Sequence, residues 1–289
     1  MKDNNNSKME NFVLKEENKK SIIGYAWDIE NPTKVVCIIH GIGEYAKRYN
    51  RMAKKFNEAG YAVFSMDLRG HGQSFGKRGH CAPRESVLED INDLIDYARV
   101  QHPNVPFVLY GHSMGGNITL DYRNRGKYNG DITGYVVSAP WVKLVRKVPK
   151  YQYVFMTGLS HIMPQFKISS AIDESALGNK ANVAGYSKDK YVHNYISAAC
   201  AVAGFNIGNA LYDDTHIIKG DGRKRPMLLM HGDKDVICSV EGSRQISKNQ
   251  ADTCEYVEWP GLYHEIHNGG EHSRGTEVIE KAIDWIGKL

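Results

Sequence analysis

The stretch from Val108 to Asn117, Val-Leu-Tyr-Gly-His-Ser-Met-Gly-Gly-Asn, constrains the fold of this chain more than any other. It sets Gly111-x-Ser113-x-Gly115 between an apolar run, residues 106–110, and a helical pattern that runs from Met114 to about Arg125. A strand that reverses into a helix within a few residues needs glycine where backbones approach closely, and it pushes the central serine out at the apex of the turn. That is the geometry of a nucleophile elbow. The serine oxygen also lies at a helix N-terminus, where free backbone N–H groups stabilise an anion. Glycine and serine are common, so the pattern carries weight only with the strand before it and the helix after it.

The rest of the chain supplies a sheet in which such an elbow can sit. Residues 12–15 and 21–27 alternate around a charged turn and read as a hairpin. Residues 34–40 hold Val-Val-Cys-Ile-Ile, the continuous apolar run of a strand covered on both faces. Residues 46–59 have helical periodicity and stop at Gly60, and residues 61–66 form a second buried strand. Asp-Leu-Arg-Gly-His-Gly-Gln-Ser, residues 67–74, is a glycine-punctuated loop. Residues 83–101 place Val87, Ile91, Leu94, Ile95 and Ala98 at helical spacing, and residues 132–139 are a further strand that ends at Pro140.

This alternation predicts an α/β fold with a mostly parallel central sheet flanked by helices. The pattern breaks between Trp141 and about Leu211, where helical fragments and aromatics replace any clear buried strand. It resumes with strands at 226–231 and 254–259 and closes with an amphipathic helix over 275–289, whose Val278, Ile279, Ala282, Ile283 and Ile286 face inward. The expected organisation is a first core part over residues 1–140, an inserted helical lid over 141–211, and a second core part over 212–289.

Composition narrows the partners. A formal net charge of +4 with 24% charged residues gives no imbalance that calls for nucleic acid, and Arg223-Lys224-Arg225 reads as a solvated loop. The five cysteines, Cys37, Cys81, Cys200, Cys238 and Cys254, are scattered, odd in number and without metal-type spacing. They read as free thiols of a reducing compartment, with no metal site. Residues 1–11 are polar, lack the apolar core of a signal peptide and are expected to fray. No window approaches the roughly 18 uninterrupted apolar residues of a spanning helix. The expectation is a soluble, cytoplasmic protein without a cofactor; nothing in the pattern encodes an oligomeric state.

A serine hydroxyl is a poor nucleophile at neutral pH and needs a histidine to take its proton and an acid to orient that histidine. In this sheet topology the acid follows a later strand and the histidine follows the last one. Met230-His231-Gly232-Asp233-Lys234-Asp235 and Gly261-Leu262-Tyr263-His264-Glu265-Ile266-His267 stand in those two places. Spacing alone leaves Asp233 against Asp235 and His264 against His267.

Taken together, these motifs resemble the monoacylglycerol lipase and lysophospholipase branch of the α/β-hydrolase superfamily. The matching segments are His40-Gly41-Ile42-Gly43-Glu44 with Arg48-Tyr49, Asp67 to Ser74, Gly111 to Gly116, Gly232 to Asp235 and Tyr263 to His267. The resemblance covers nearly the whole chain outside the lid. The resemblance implies an α/β-hydrolase fold and a serine ester hydrolase with Ser113 as nucleophile, Asp235 as orienting acid and His264 as base. It implies an oxyanion hole from the backbone N–H groups of Ile42 and Met114, and it makes Asp233 a loop residue. The residue after the nucleophile and a glycine-flanked loop are where this fold provides two such donors.

The resemblance further implies that Glu44, Arg48 and His267 contact the glycerol end of the substrate, directly or through water. Glu44 and Arg48 are also spaced as a helix ion pair. The implied substrate is a monoacylglycerol or a related single-chain lipid ester; the alternative is a carboxylesterase for small or aromatic acyl esters. Within the lid, Ser187-Lys188-Asp189-Lys190-Tyr191-Val192 matches a Ser-Arg-Asp-x-x-Val segment of the family, but the Asp-Pro-Leu that commonly follows is absent after Tyr195. Acyl-chain preference is therefore left open. Apolar Val145, Tyr153, Phe155 and Leu159 interleave with Arg146, Lys147 and Lys150, which suits peripheral contact with anionic lipid and equally a lid packed on itself with its lysines solvated. Cys238 matches a cysteine position near the catalytic site in some relatives.

Overall fold

The computed structural model describes residues 9–170, 172–270 and 272–289. In chain order the strands are β1 (Glu10–Glu17), β2 (Lys20–Trp27), β3 (Lys34–Ile39), β4 (Tyr61–Met66), β5 (Phe107–His112), β6 (Gly134–Ser138), β7 (Lys167–Ser169), β8 (Tyr195–Ser197), β9 (Met227–Gly232) and β10 (Cys254–Trp259). The helices are α1 (Asn50–Glu58), α2 (Arg84–Gln101), α3 (Met114–Arg125), α4 (Lys150–Ile162), α5 (Lys180–Val183), α6 (Ala198–Tyr212), α7 (Val240–Asn249) and α8 (Thr276–Gly287).

Eight strands form one sheet in the order β1-β2-β4-β3-β5-β6-β9-β10. The β1–β2 hairpin and the β2–β4 contact are antiparallel, and every pairing from β4 to β10 is parallel. The apolar runs are continuous because each central strand is covered twice. In β3, Val35, Cys37 and Ile39 join the core beneath α2 and α3, while Val36 and Ile38 join the opposite core beneath α1 and α8. That is the period-two alternation of a strand expressed in two hydrophobic layers.

The structure departs from the sequence pattern in several places. Residues 46–49 wind as a 3₁₀ turn before α1 rather than extending it, and the Ala46 N–H donates to the Asp67 carboxylate at 2.9 Å. Helix α7 left no periodic signal because it buries Gly242 and Ser243 beside Ile246, so small residues occupy its inner face. Glu10 and Asn11, expected to fray, pair with Ala26 and Tyr25 in the hairpin, while residues 1–8 lie outside the described residues. The Arg223-Lys224-Arg225 loop is pinned from below: the buried Arg123 guanidinium donates to the Arg223 and Arg225 carbonyls at 2.9 and 2.7 Å.

Residues 141–211 are inserted between β6 and β9. Their two ends belong to the main core, since Trp141 and Val142 at one end and Cys200, Ala201, Ile207 and Leu211 of α6 at the other are buried within it. The Asn117 side chain donates to the Trp141 and Gly204 carbonyls and so fastens both ends to α3. Between them lies a two-stranded antiparallel ribbon, β7 with β8, whose strands are too short to have produced an alternating pattern. Helix α4 has no buried residue. Among the described residues, no helix is long and apolar enough to cross a membrane.

Candidate active site

Ser113 links β5 to α3 with φ 58° and ψ −118°, a left-handed backbone that a non-glycine residue adopts at a cost of about 1–3 kcal/mol. Neighbouring hydrogen bonds enforce it. Ser113 N–H donates to the Ser138 carbonyl at 3.0 Å, and the Ser113 carbonyl accepts from Asn117 N–H at 3.0 Å and Trp141 N–H at 2.9 Å. A Cβ on Gly111 would run into Thr119 Oγ1 and the Gly115 carbonyl, and one on Gly115 would run into the Ile39 carbonyl. The glycines therefore let α3 start directly against the sheet.

The chain brings Asp235 and His264 to this serine. His264 Nε2 lies 2.8 Å from Ser113 Oγ, and His264 Nδ1 lies 2.7 Å from Asp235 Oδ2. Asp235 Oδ1 accepts from the backbone N–H groups of Ile237 and Cys238 at 2.8 and 3.0 Å. The two alternatives left by spacing separate cleanly. Asp233 is exposed and accepts from Gly261 N–H at 2.6 Å, within the loops, and it is His264 whose Nε2 reaches Ser113 Oγ.

Burial disfavours charge on Asp235, yet the charge of His264 and hydrogen bonds from His231 and His264 hold its carboxyl far below the usual range. Burial likewise opposes protonation of His264, but Asp235 beside it, with Glu265 and Glu44 behind, lifts His264 above its ordinary value. An imidazole so placed accepts a proton from the serine readily. The Cys238 thiol is buried, and burial, with Asp235 nearby, pushes it well above the ordinary cysteine value. A thiol reagent would therefore meet the unreactive protonated form.

The loop after β3 is fixed on all sides. Gly41 N–H donates to Glu44 Oε1 at 2.7 Å, the Gly41 carbonyl accepts from His40 Nδ1 at 2.7 Å, and the Gly43 carbonyl accepts from His193 N–H at 2.9 Å. Burial pushes His40 down to about 3, so the ring stays neutral and its Nε2 accepts from Leu68 N–H at 2.9 Å. Among the described residues, the Ile42 and Met114 N–H groups donate to no protein acceptor. Two preorganised donors of this kind can receive an oxyanion.

Glu44, Arg48 and Glu265 form a buried charged cluster next to His264. Arg48 reaches Glu44 Oε2 at 2.7 Å and takes both oxygens of Glu265, at 2.6 and 2.9 Å. Burial and then the nearby Glu265 raise Glu44, whereas the Arg48 charge overcomes the burial of Glu265 and holds it far below its ordinary value. The helix-spaced ion pair of Glu44 with Arg48 is thus present, and Glu265 is an additional partner that spacing did not reveal. His267 is buried and pushed down to about 4, chiefly by burial; its ring stacks on Tyr49 and its Nδ1 has no partner among the described residues.

A small cavity, about 10 Å³, opens over Ser113. Gly41, Ile42, Glu44, His264 and Glu265 line it from the core, and Ile172, Leu177 and Tyr186 line it from the inserted segment. Glu44 thus faces the cavity, while Arg48 and His267 are not part of its lining. The inserted segment is stitched to both site loops. His264 N–H donates to the Ala176 carbonyl at 3.3 Å, Glu265 N–H to the Leu177 carbonyl at 2.6 Å, and Tyr45 O–H to Asp189 at 2.6 Å. Ile172, Leu177 and Tyr186 were not found from the sequence, because their place over the serine comes from tertiary packing. Glu265 stood inside a recognised motif, next to His264, and only its partner was hidden.

The family model described as serine aminopeptidase, S33, matches residues 30–271. The chain belongs to that family. A monoacylglycerol lipase of Mycolicibacterium smegmatis is 32% identical over 258 residues, which cover 89% of this chain and 89% of the relative. The phospholipase YtpA of Bacillus subtilis is 29% identical over 250 residues, 86% of this chain and 93% of that protein. The crystal structure of Paleococcus ferrophilus monoacylglycerol lipase superposes with a TM-score of 0.79 at 28% identity, covering 91% of this chain and 97% of the other. The family member described here is a serine ester hydrolase on an α/β-hydrolase fold.

Proposed function

We propose that this hydrolase releases a fatty acid from a monoacylglycerol or a related single-chain lipid ester through an acyl-enzyme on Ser113. The observation that carries the reading is the hydrogen-bonded line from Ser113 Oγ through His264 to Asp235, beside two free backbone donors. His264 Nε2 takes the serine proton as Oγ bonds to the ester carbonyl carbon, and Asp235 stabilises the resulting imidazolium. The carbonyl oxygen, now an anion, turns to the Ile42 and Met114 N–H groups. When the ester C–O bond breaks, His264 returns the proton to the departing glycerol oxygen. Water then adds by the same route and frees the acid.

Glu44 is the group best placed to recognise glycerol. A carboxylate offers about four lone-pair sites. The three donors on Glu44 are Gly41 N–H, Tyr49 O–H and Arg48, which leaves room for one substrate hydroxyl. In this reading Arg48 acts by holding Glu44, and the unpartnered Nδ1 of His267 serves a water-mediated contact. The inserted segment 141–211 acts as a lid, with Ile172, Leu177 and Tyr186 against the acyl chain and α4 turned outward to a lipid surface.

A carboxylesterase for small acyl groups is favoured by one observation: the cavity over Ser113, about 10 Å³, has room for little more than a water molecule. The deciding experiment compares kcat/KM for monoacylglycerols of increasing chain length, lysophospholipids and p-nitrophenyl acetate, with fluorophosphonate labelling and Ser113→Ala as controls. Monoacylglycerol turnover well above that of acetate supports the lipase reading, and the reverse order replaces it with the carboxylesterase. A well-folded Ser113→Ala that still turns over, or still takes the label, would remove the serine mechanism.

A further inference from the structure

The oxygen of Asp235 that faces His264 is shared with a second histidine. His231, fully buried near the end of β9, places Nε2 3.0 Å from Asp235 Oδ2 and 3.1 Å from the Cys238 carbonyl. Both neighbours of Nε2 only accept, so Nε2 carries the hydrogen. His231 Nδ1 lies 2.7 Å from Ser243 Oγ on α7, and in the neutral ring it accepts the serine O–H. The two acceptors at Nε2 thus set the tautomer, and Ser243 completes it by donating to Nδ1.

The need for such a donor follows from where Asp235 stands. It lies on the loop between β9 and α7, whereas His231 is held within a strand buried on both sides. The carboxylate receives Ile237 N–H and Cys238 N–H on Oδ1, and His264 and His231 on Oδ2. Its roughly four acceptor sites are all taken. Without His231, Oδ2 keeps only its bond to His264 and the carboxyl plane loses one of the four contacts that fix its rotation.

We infer that His231 is a positioning residue of the reaction, whose Nε2–H, with Ser243 holding the other ring nitrogen, keeps the Asp235 carboxylate in the orientation that His264 requires. The inference rests on Asp235 being the orienting acid.

The test is a double-mutant cycle with kcat and KM measured separately. His231→Leu lowers kcat by about 10- to 100-fold, the rate equivalent of one hydrogen bond to a charged group, and leaves KM unchanged. His231→Gln, whose amide N–H reaches toward the place of Nε2, recovers most of the loss, and Ser243→Ala produces a smaller fall in kcat. In an Asp235→Asn background, His231→Leu has no further effect, because the group it positions is already disabled. Thermal unfolding checks that each variant is folded. A folded His231→Leu with normal kcat, a glutamine variant no better than leucine, or an equal loss in both backgrounds overturns the inference. Should the leucine variant not fold, the same comparison of backgrounds with Ser243→Ala decides, and an equal loss in both again overturns it. Asp235→Asn alone separates the two levels. If it keeps normal activity, the acid assignment falls and takes this inference with it; if it is inactive while His231→Leu is not, only the role of His231 is lost.

Discussion

Arg48 grips both oxygens of Glu265, Nη1 to Oε1 at 2.6 Å and Nη2 to Oε2 at 2.9 Å, and thereby ties the segment after β3 to the loop that carries His264. The two side chains are 13% and 3% exposed, so water screens little of the interaction. The bond belongs at once to the fold and to the site.

Removing the cation should therefore unfold the protein more easily as well as slow it. Arg48→Met leaves Glu44 and Glu265 buried without their shared partner, and breaking a buried pair from one side costs about 3–5 kcal/mol. Denaturant unfolding should show a loss of that size. A variant of normal stability whose only defect is a raised KM for monoacylglycerol would mean that Arg48 serves the substrate directly.

The electrostatics around His264 set a pH dependence. As a base His264 works only when neutral, and its raised value means that the neutral form is lost as pH falls through a point above the ordinary 6.5. The acid limb of kcat/KM should accordingly lie above pH 6.5. Glu265→Gln removes a negative charge and frees the positive charge of Arg48, both of which disfavour protonated His264, so the limb should move to lower pH. A pH–rate profile on a non-ionising ester measures both; a limb that stays in place in the variant would mean that Glu265 does not act on His264.

The two aspartates in one loop should differ sharply. Asp235→Asn cannot hold His264 in the same tautomer and should lower kcat on the order of 10⁴-fold, the scale known for the corresponding change in another serine hydrolase. Asp233→Asn keeps an oxygen for Gly261 N–H at an exposed site and should change kcat little. Steady-state kinetics on both folded variants give the ranking, and the opposite order would reassign the acid.

The strands and the elbow were legible because each rests on a local rule. Val35 to Ile39 is apolar on both faces of a covered strand, and Gly111 and Gly115 stand where α3 meets the sheet. Spacing put two aspartates in one loop and two histidines in the other and could go no further, since Asp233 and Asp235 differ only in which neighbours they reach. Helix α7 was hidden for the opposite reason, with Gly242 and Ser243 on its buried face in place of an apolar stripe. Residues such as Tyr186, which lies over the site with its ring 4.4 Å from the Arg48 guanidinium, owe their position to the packing of the inserted segment and left no periodic trace.

The same segment leads to a prediction about surfaces. On α4, Tyr151, Phe155 and Ile162 fall on one helical face and are 72%, 69% and 82% exposed, with exposed Lys147 and Lys150 at its N-terminal end. Apolar rings beside cations suit the boundary of an anionic bilayer, where burying such a side chain contributes about 1.5–3 kcal/mol and each lysine about 1 kcal/mol. Phe155→Ser and Ile162→Ser should therefore each weaken co-sedimentation with anionic vesicles by tenfold or more, and Lys147→Glu with Lys150→Glu should weaken it chiefly at low salt. Since α4 buries no residue, unfolding stability and kcat/KM on a short soluble ester should stay unchanged. Vesicle binding that survives the serine variants would place the lipid contact elsewhere, whereas a parallel loss of stability would show that this face supports the fold.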